Sequence, residues 1–398
     1  MAKNPVDQTR PPRPTALVNA DASLYGRAVD LLRRLAGPHG IHASLSATAN
    51  YQAVFTRDAV MAGIAGLLID EPEVGAALAQ TLTHLRDLQG SEGQIASNYV
   101  IEPNGATRVS FGTLAPRIDA TTWYLIGVAL AARAALVEPS AFRESVRSVV
   151  RLLDALEYNG RDLIYIPVGG NWADEYIYDG YILSDQVLRA WALRLVASTY
   201  GDAALAAKSD RIEAAVRERY WSGAENWHPY PVAAFSPAAT RDVFDLAACS
   251  LLAVARLVPS LTSRTLDWIA AEFLERGALP PAFHPVIDEG HPDWPALRRY
   301  HLHGFRNRPH EYHNGGIWPI WLGWLALGLA QARRHEDLER LRLATETRLA
   351  ALSAFSFEEY LHGITGAPGG VAQMAYSATG IIFLRCAGSA RQATLFAR

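Results

Sequence analysis

The segment Gly169-Gly170-Asn171-Trp172-Ala173-Asp174-Glu175-Tyr176 sets two adjacent carboxylates beside a tryptophan and a tyrosine. It follows an apolar stretch, Leu163 to Val168, and precedes a helix-like run rich in aromatics. A carboxyl group held against aromatic faces loses hydration, which disfavours its charged form and raises its pKa. A general acid working near neutral pH has that requirement. Taken alone the residues would equally suit a solvated loop, so the rest of the chain has to decide.

Comparable groups recur. Tyr51 to Asp58 ends in Thr56-Arg57-Asp58, and Phe111 to Thr121 carries Arg117-Ile118-Asp119 with Trp123 and Tyr124 just beyond. Asn307-Arg308-Pro309-His310-Glu311-Tyr312-His313-Asn314-Gly315-Gly316-Ile317-Trp318-Pro319 and Phe357-Glu358-Glu359-Tyr360-Leu361-His362-Gly363-Ile364-Thr365-Gly366 follow. Each has a structural use: Arg57-Asp58 as a capping ion pair, Asp119 as an acid at a helix start, Asn314-Gly315-Gly316 as a turn. A sugar needs Asp, Arg, His and Asn for its hydroxyls and Trp and Tyr for its apolar C–H faces. That mixture recurs here, whereas a phosphate site favours a Gly-rich loop with Lys. His301, His303, His310 and His313 lie within thirteen residues but lack the spacing of a zinc site, and no nucleophile elbow occurs, so no metal and no cofactor are expected.

The elements that must hold these groups are helices. Strand alternation is scarce, and Ala-, Leu- and Arg-rich segments with helical spacing predict twelve: 22–37, 58–69, 73–89, 118–137, 140–158, 179–200, 202–221, 241–256, 260–276, 315–334, 336–352 and 374–386. Even-numbered helices are apolar and rich in small residues, as inner helices buried on all sides need to be. Odd-numbered ones carry charged outer faces. Long segments, 38–57, 90–117, 159–178, 222–240, 277–314 and 353–373, lead from each outer helix to the next inner one. Long loops of this kind generally carry function. The expected fold is all-α, a single (α/α)6 barrel spanning 19–390 behind a disordered tail, 1–18, with the six long loops at one end.

Composition narrows the partners. Half the residues are hydrophobic and net charge is −3 with no basic block, which argues against nucleic acid. The run from Ile317 to Ala330 is too short to span a bilayer, and the polar N-terminus with Pro11, Pro12 and Pro14 lacks the apolar core of a signal peptide. A soluble, cytoplasmic protein is expected. Cys249 and Cys386 lie in apolar runs and read as buried hydrophobes. No interface is legible, so homo-oligomerisation is left open.

The motifs resemble those of (α/α)6-barrel glycoside hydrolases, a clan with alkaline/neutral invertases, glucosylglycerate and mannosylglycerate hydrolases, processing α-glucosidases and debranching glucosidases. Arg57-Asp58, Asp119, Trp172-Ala173-Asp174 and Glu359-Tyr360-Leu361-His362-Gly363-Ile364-Thr365-Gly366 look like clan motifs, and Tyr312 to Pro319 matches Tyr-His-Asn-Gly-Gly-x-Trp-Pro throughout. Glu175-Tyr176 stands where the invertases carry Arg-Arg, and His362 replaces an acidic residue, so sucrose itself is not specified.

The resemblance implies an inverting hydrolase of a small α-glycoside: sucrose-like, glucosyl- or mannosyl-glycerate-like, or a short α-glucoside. Asp174 is the expected general acid and Glu359 the expected base, with carboxyls roughly 6.5–9.5 Å apart to admit the attacking water. Glu175 and Glu358 are their immediate competitors. Arg57, Asp58 and Asp119 are expected to hold sugar hydroxyls, with Trp172, Tyr312, His313, Asn314, Trp318 and Tyr360 completing the subsite. A sugar 2-epimerase working through His310, His313 and His362, or a non-catalytic sugar-binding barrel, are the alternatives.

Overall fold

The computed structural model describes residues 21–113, 115–221, 228–299, 304–352 and 355–397. The tail expected over 1–18 and two of the clustered histidines, His301 and His303, lie outside these. The first nine helices among the described residues are α1 (Asp21–Leu35), α2 (Thr56–Ile69), α3 (Pro72–Asp87), α4 (Ile118–Arg133), α5 (Arg143–Ala155), α6 (Leu183–Tyr200), α7 (Ala203–Arg219), α8 (Leu246–Ala255) and α9 (Pro259–Glu272). A single turn, α10 (Trp294–Leu297), precedes α11 (Pro319–Gln331), α12 (His335–Ala350), α13 (Ala375–Cys386) and α14 (Ala390–Leu395).

Burial sorts the helices as their sequences demand. Every residue of α8 is buried, as is α11 from Pro319 to Leu329. By contrast α5 buries only Ser145, Val146, Val149 and Leu153, one stripe at helical spacing, and turns its charges outward. The apolar helices pack in a closed ring, α2 on α4, α4 on α6, α6 on α8, α8 on α11, α11 on α13 and α13 back on α2. An amphipathic helix covers each: α3, α5, α7, α9 and α12 each fold back on the inner helix before it, and α1 covers α13. This is the expected (α/α)6 barrel. Close approach within the ring depends on small residues: a Cβ on Gly380 would lie 2.1 Å from the Pro319 carbonyl oxygen, so α11 and α13 meet backbone to backbone.

The axis is filled by Trp123, Trp191 and Trp324, in mutual ring contact. Beneath them Phe396, just past α14, packs on Trp191 and Trp324. Gln392 donates to the Leu327 carbonyl, and Arg133 holds the carbonyls of Leu395 and Ala397. The chain beyond 390, past the expected end of the barrel, thus plugs its floor.

At the other end the long loops form short antiparallel ribbons that sequence alternation did not show. Val54–Phe55 pairs with Asn98–Ile101, which pairs with Thr107–Ser110. Tyr181–Ile182 pairs with Ala234–Phe235, and Phe244–Asp245 with Phe283–His284. These ribbons explain why α6 and α8 begin at Leu183 and Leu246 rather than at 179 and 241: the preceding residues are extended and pair with a neighbouring loop. No helix among the described residues is long and apolar enough to cross a membrane.

Candidate active site

Each inner helix opens toward the loop end, and four of them place an aspartate at or just inside the first turn: Asp58 on α2, Asp119 on α4, Asp185 on α6 and Asp245 as the cap of α8. Helix N-termini favour carboxylates, but all four are buried and so lose hydration. Arg57 partly neutralises the first two, with Nε 3.2 Å from Asp58 Oδ1 and Nη1 2.8 Å from Asp119 Oδ2. Burial pushes the Asp58 carboxyl up, against the lowering effect of Arg57. Burial raises Asp245 to about 6 even though Tyr178 donates to its Oδ2. Asp185 is pushed well up by burial and then by the charge of Asp119.

The third long loop is pinned by Arg117. Its guanidinium donates to the Gly169 and Asn171 carbonyls and lies 2.6 Å from Asp174 Oδ2. Asn171 in turn donates to Asp185 Oδ2 at 3.1 Å and accepts from the Ala173 amide at 3.1 Å. Asp174 keeps about a quarter of its side chain exposed, at 26%, whereas Glu175 is buried. Glu175 points elsewhere and forms a two-pronged ion pair with Arg306, Nε to Oε2 being 3.0 Å. The two adjacent acids therefore have separate surroundings.

Glu359 comes from the sixth loop. It is buried, accepts from the Tyr51 hydroxyl at 2.8 Å through Oε1 and from the Val371 amide at 3.0 Å through Oε2. Gly370 has φ +80, and a Cβ there would lie 2.3 Å from Glu359 Oε2, so only glycine leaves room for this carboxylate. Burial raises the Glu359 pKa, while the Val371 amide, Tyr51 and Arg306 act to lower it. Glu358 instead turns back, accepting from its neighbour Ser356's amide at 2.9 Å.

The walls are aromatic. Trp172 stacks on Phe283 at 5.5 Å and meets His313, Trp318 and Trp321. Trp318 stacks on Tyr360 at 5.9 Å, and Tyr312 lies against both. His310 and Tyr312 have φ of +68 and +48, a left-handed conformation that bulky residues adopt only where the surroundings enforce it.

Two buried groups show that the loops converge. His313 is held well below the usual imidazole range by burial and then by the positive charges of Arg306, Arg57 and Arg117, the first and last from different loops and the second from the start of α2. Tyr312 is raised by burial and then by the negative charges of Asp174 and Glu359. Both expected catalytic carboxylates thus bear on one tyrosine. Around it, the Nε1 atoms of Trp172 and Trp321, both ring nitrogens of His313, the hydroxyls of Tyr176 and Tyr376 and Asp185 Oδ1 are buried without hydrogen-bond partners. Unpaired buried polar atoms are costly, and a polar group reaching these would find donors and acceptors to satisfy.

The expected residues differ in how they serve. Arg57, Asp58, Asp119, Trp172, Asp174, Tyr312, His313, Trp318, Glu359 and Tyr360 gather at this mouth. Asn314 has its amide fully engaged with backbone, accepting from the Ile287 amide at 2.8 Å and donating to the Ile287 and Asn307 carbonyls at 2.8 and 3.1 Å. It braces the loop rather than offering groups to a ligand. The histidines that an epimerase would use are divided: His310 faces His362 at 6.0 Å, while His313 lies buried behind Trp172. No cluster of metal-ligating side chains occurs among the described residues. Arg117, Tyr51 and Arg306 are site residues that sequence reasoning left unassigned, and so are Asp185 and Asp245. The last two carry a readable signal, since an acid at the head of α6 and of α8 repeats the pattern of Asp58 and Asp119.

No protein-family model matches the chain, and a search of curated proteins finds no match. Solved structures do match. The GH63 mannosylglycerate hydrolase from Thermus thermophilus, in complex with glucose, superposes with a TM-score of 0.64 at 15% identity, covering 90% of this chain and 99% of that one. A bacterial glucoamylase complexed with acarbose gives 0.65 at 15% identity over 92% of this chain and 55% of its own. The rhamnosidase from Klebsiella oxytoca with rhamnose bound gives 0.62 at 11% identity over 94% and 65%. The chain has the fold of the (α/α)6-barrel glycoside hydrolases. In this barrel the mouth described above is the end at which the inner helices begin.

Proposed function

We propose that the protein is an inverting glycoside hydrolase acting on a small α-glycoside, with Asp174 as general acid and Glu359 as general base. What supports the reading is that two carboxylates from loops far apart in sequence border one aromatic-walled mouth, Asp174 two residues after Trp172 and held by Arg117, Glu359 next to Tyr360, with Trp318 in contact with Trp172, Tyr312 and Tyr360. The likeness of the fold to a mannosylglycerate hydrolase, a glucoamylase and a rhamnosidase supports it.

Each group has a role its surroundings suit. Arg117 engages Asp174 Oδ2, which leaves Oδ1 to pass a proton to the glycosidic oxygen. The same guanidinium then stabilises the charge left on Asp174. Tyr51 and the Val371 amide fix both oxygens of Glu359, so a water on the far side of the sugar meets a carboxylate of set orientation. Arg57 with Asp58 and Asp119 offers a charged, rigid set of partners for sugar hydroxyls, and Trp172, Trp318 and Tyr360 supply the stacking surfaces. The substrate is a sucrose-like, glycosylglycerate-like or short α-glucoside molecule, handled without cofactor by a soluble protein.

The test is a panel of α-glycosides incubated with the purified protein and followed by proton NMR. Release of the β-anomer first is the expected result. Release of the α-anomer first would remove Glu359 from its water-activating role, and no cleavage of any glycoside would overturn the reading.

A further inference from the structure

We propose that Arg306 and Tyr51 form a positioning pair that keeps Glu359 ionised and aimed, with Glu175 as the group that holds Arg306 in place. The inference rests on the glycosidase reading and explains Glu175, which that reading leaves without a task.

Two contacts fix the Arg306 guanidinium. It is paired through two nitrogens with buried Glu175, and it lies 4.1 Å from the centre of the Tyr312 ring. The Glu175 backbone carbonyl is itself gripped by Asn307 Nδ2 at 2.5 Å, tying the third loop to the fifth. Tyr51 then donates to Glu359 Oε1 at 2.8 Å. A chain of charge and hydrogen bonding thus runs from Glu175 to Arg306, whose positive charge reaches Tyr51 and Glu359, and to the Tyr51–Glu359 hydrogen bond itself.

The chain answers an electrostatic need. Glu359 is buried among the Tyr312, Tyr360 and Tyr376 phenols and feels the like charge of Asp58, all of which leave a carboxylate poorly solvated or repelled. A base must be ionised to take a proton from water. Arg306 supplies positive charge, and Tyr51 and the Val371 amide supply hydrogen bonds to the anion. An opposite charge and a donated hydrogen bond both favour the charged form.

The experiment follows Glu359 in two ways on the full chain. One is the pH dependence of kcat/KM on α-D-glucosyl and α-D-mannosyl fluoride, whose leaving group needs little protonation, so that the base governs the acid limb. The other needs no turnover: titration of the Glu359 carboxyl by 13C NMR, assigned by its absence in Glu359→Gln. In Tyr51→Phe and Arg306→Met both readouts move up by roughly one pH unit, kcat falls while KM changes little, and Arg306→Lys recovers most of the shift. Arg306→Met strands Glu175, so the double variant Arg306→Met/Glu175→Met provides a folded comparison in which the shift persists. A Glu359 titration that stays at its wild-type position in Tyr51→Phe and in the double variant overturns the proposal. A titration that shifts as expected in a protein that cleaves neither fluoride and no glycoside of the panel sustains the ionising role and overturns the glycosidase reading instead.

Discussion

The two ends of the barrel use charge in opposite ways. At the floor end, beside the short turn from α11 to α12, an open depression of about 660 Å³ is lined by Asp267, Glu275, Arg333, Arg334, Glu336, Asp337 and Arg340. Its groups pair with one another, Arg334 with exposed Asp267 at 2.5 Å and with buried Asp337 at 2.9 Å, and its lining holds no tryptophan, tyrosine or phenylalanine. At the mouth the ion pairs are largely buried, backed by tryptophan and tyrosine, and set among polar atoms that lack partners. This depression is therefore a solvated junction between outer helices. The mouth holds charge out of water, where each unit of it counts for more.

Breaking the mouth should have the largest effects. Asp174→Asn and Glu359→Gln are each expected to lower kcat by about 10²- to 10⁴-fold, while circular dichroism and melting temperature stay close to wild type. Wild-type turnover in either would dissolve the functional contrast between the ends. In stability, Arg57→Met leaves Asp58 and Asp119 buried without their cation and should cost about 3–5 kcal/mol in urea unfolding. Arg334→Met at the floor removes a pair with Asp267, which is 62% exposed, and leaves buried Asp337 its second cation, Arg340 at 2.9 Å, so about 1 kcal/mol or less is expected. Equal losses would show that burial does not distinguish the two ends.

The contrast also has a pH signature. As the proposed base, Glu359 has to act as an anion, and burial raises its pKa, so activity should be present at higher pH and fall as pH drops through that raised value. The acid limb of kcat/KM should thus lie above the ordinary glutamate value of about 4.3, and a limb at or below that value would contradict it. Arg340→Ala, which touches only the depression, should leave kcat/KM within about two-fold and stability within about 0.5 kcal/mol.

Much of the fold was legible because its periodicities are local. The twelve helices lie close to where spacing puts them, since an inner helix such as α8 is apolar all round and an outer one such as α5 is not. The ribbons were hidden because they are pairings of two to four residues between distant loops, with too little length for alternation to emerge. The C-terminal plug was hidden for another reason: Leu395 and Phe396 become core only once the ring has closed above them.

The candidate site was legible where its residues stand in short motifs, as in Trp172-Ala173-Asp174 and Tyr312 to Pro319. It was illegible where two loops must meet. Nothing near Glu175 in the sequence announces Arg306, 131 residues away, and nothing near Glu359 announces Tyr51, 308 residues away. Asn314 shows the converse, a motif residue whose side chain serves the loop.

The plug formed by α14 and Phe396 bears on how a sugar can be handled. With the axis filled by Trp123, Trp191 and Trp324 and corked below, the barrel is a cup and not a tunnel. A chain cannot be threaded through a cup. If glycosides are cleaved here, they are reached from the mouth alone. The freed monosaccharide must then leave by the door it came in, before the next substrate enters, and should compete with that substrate in steady-state assays.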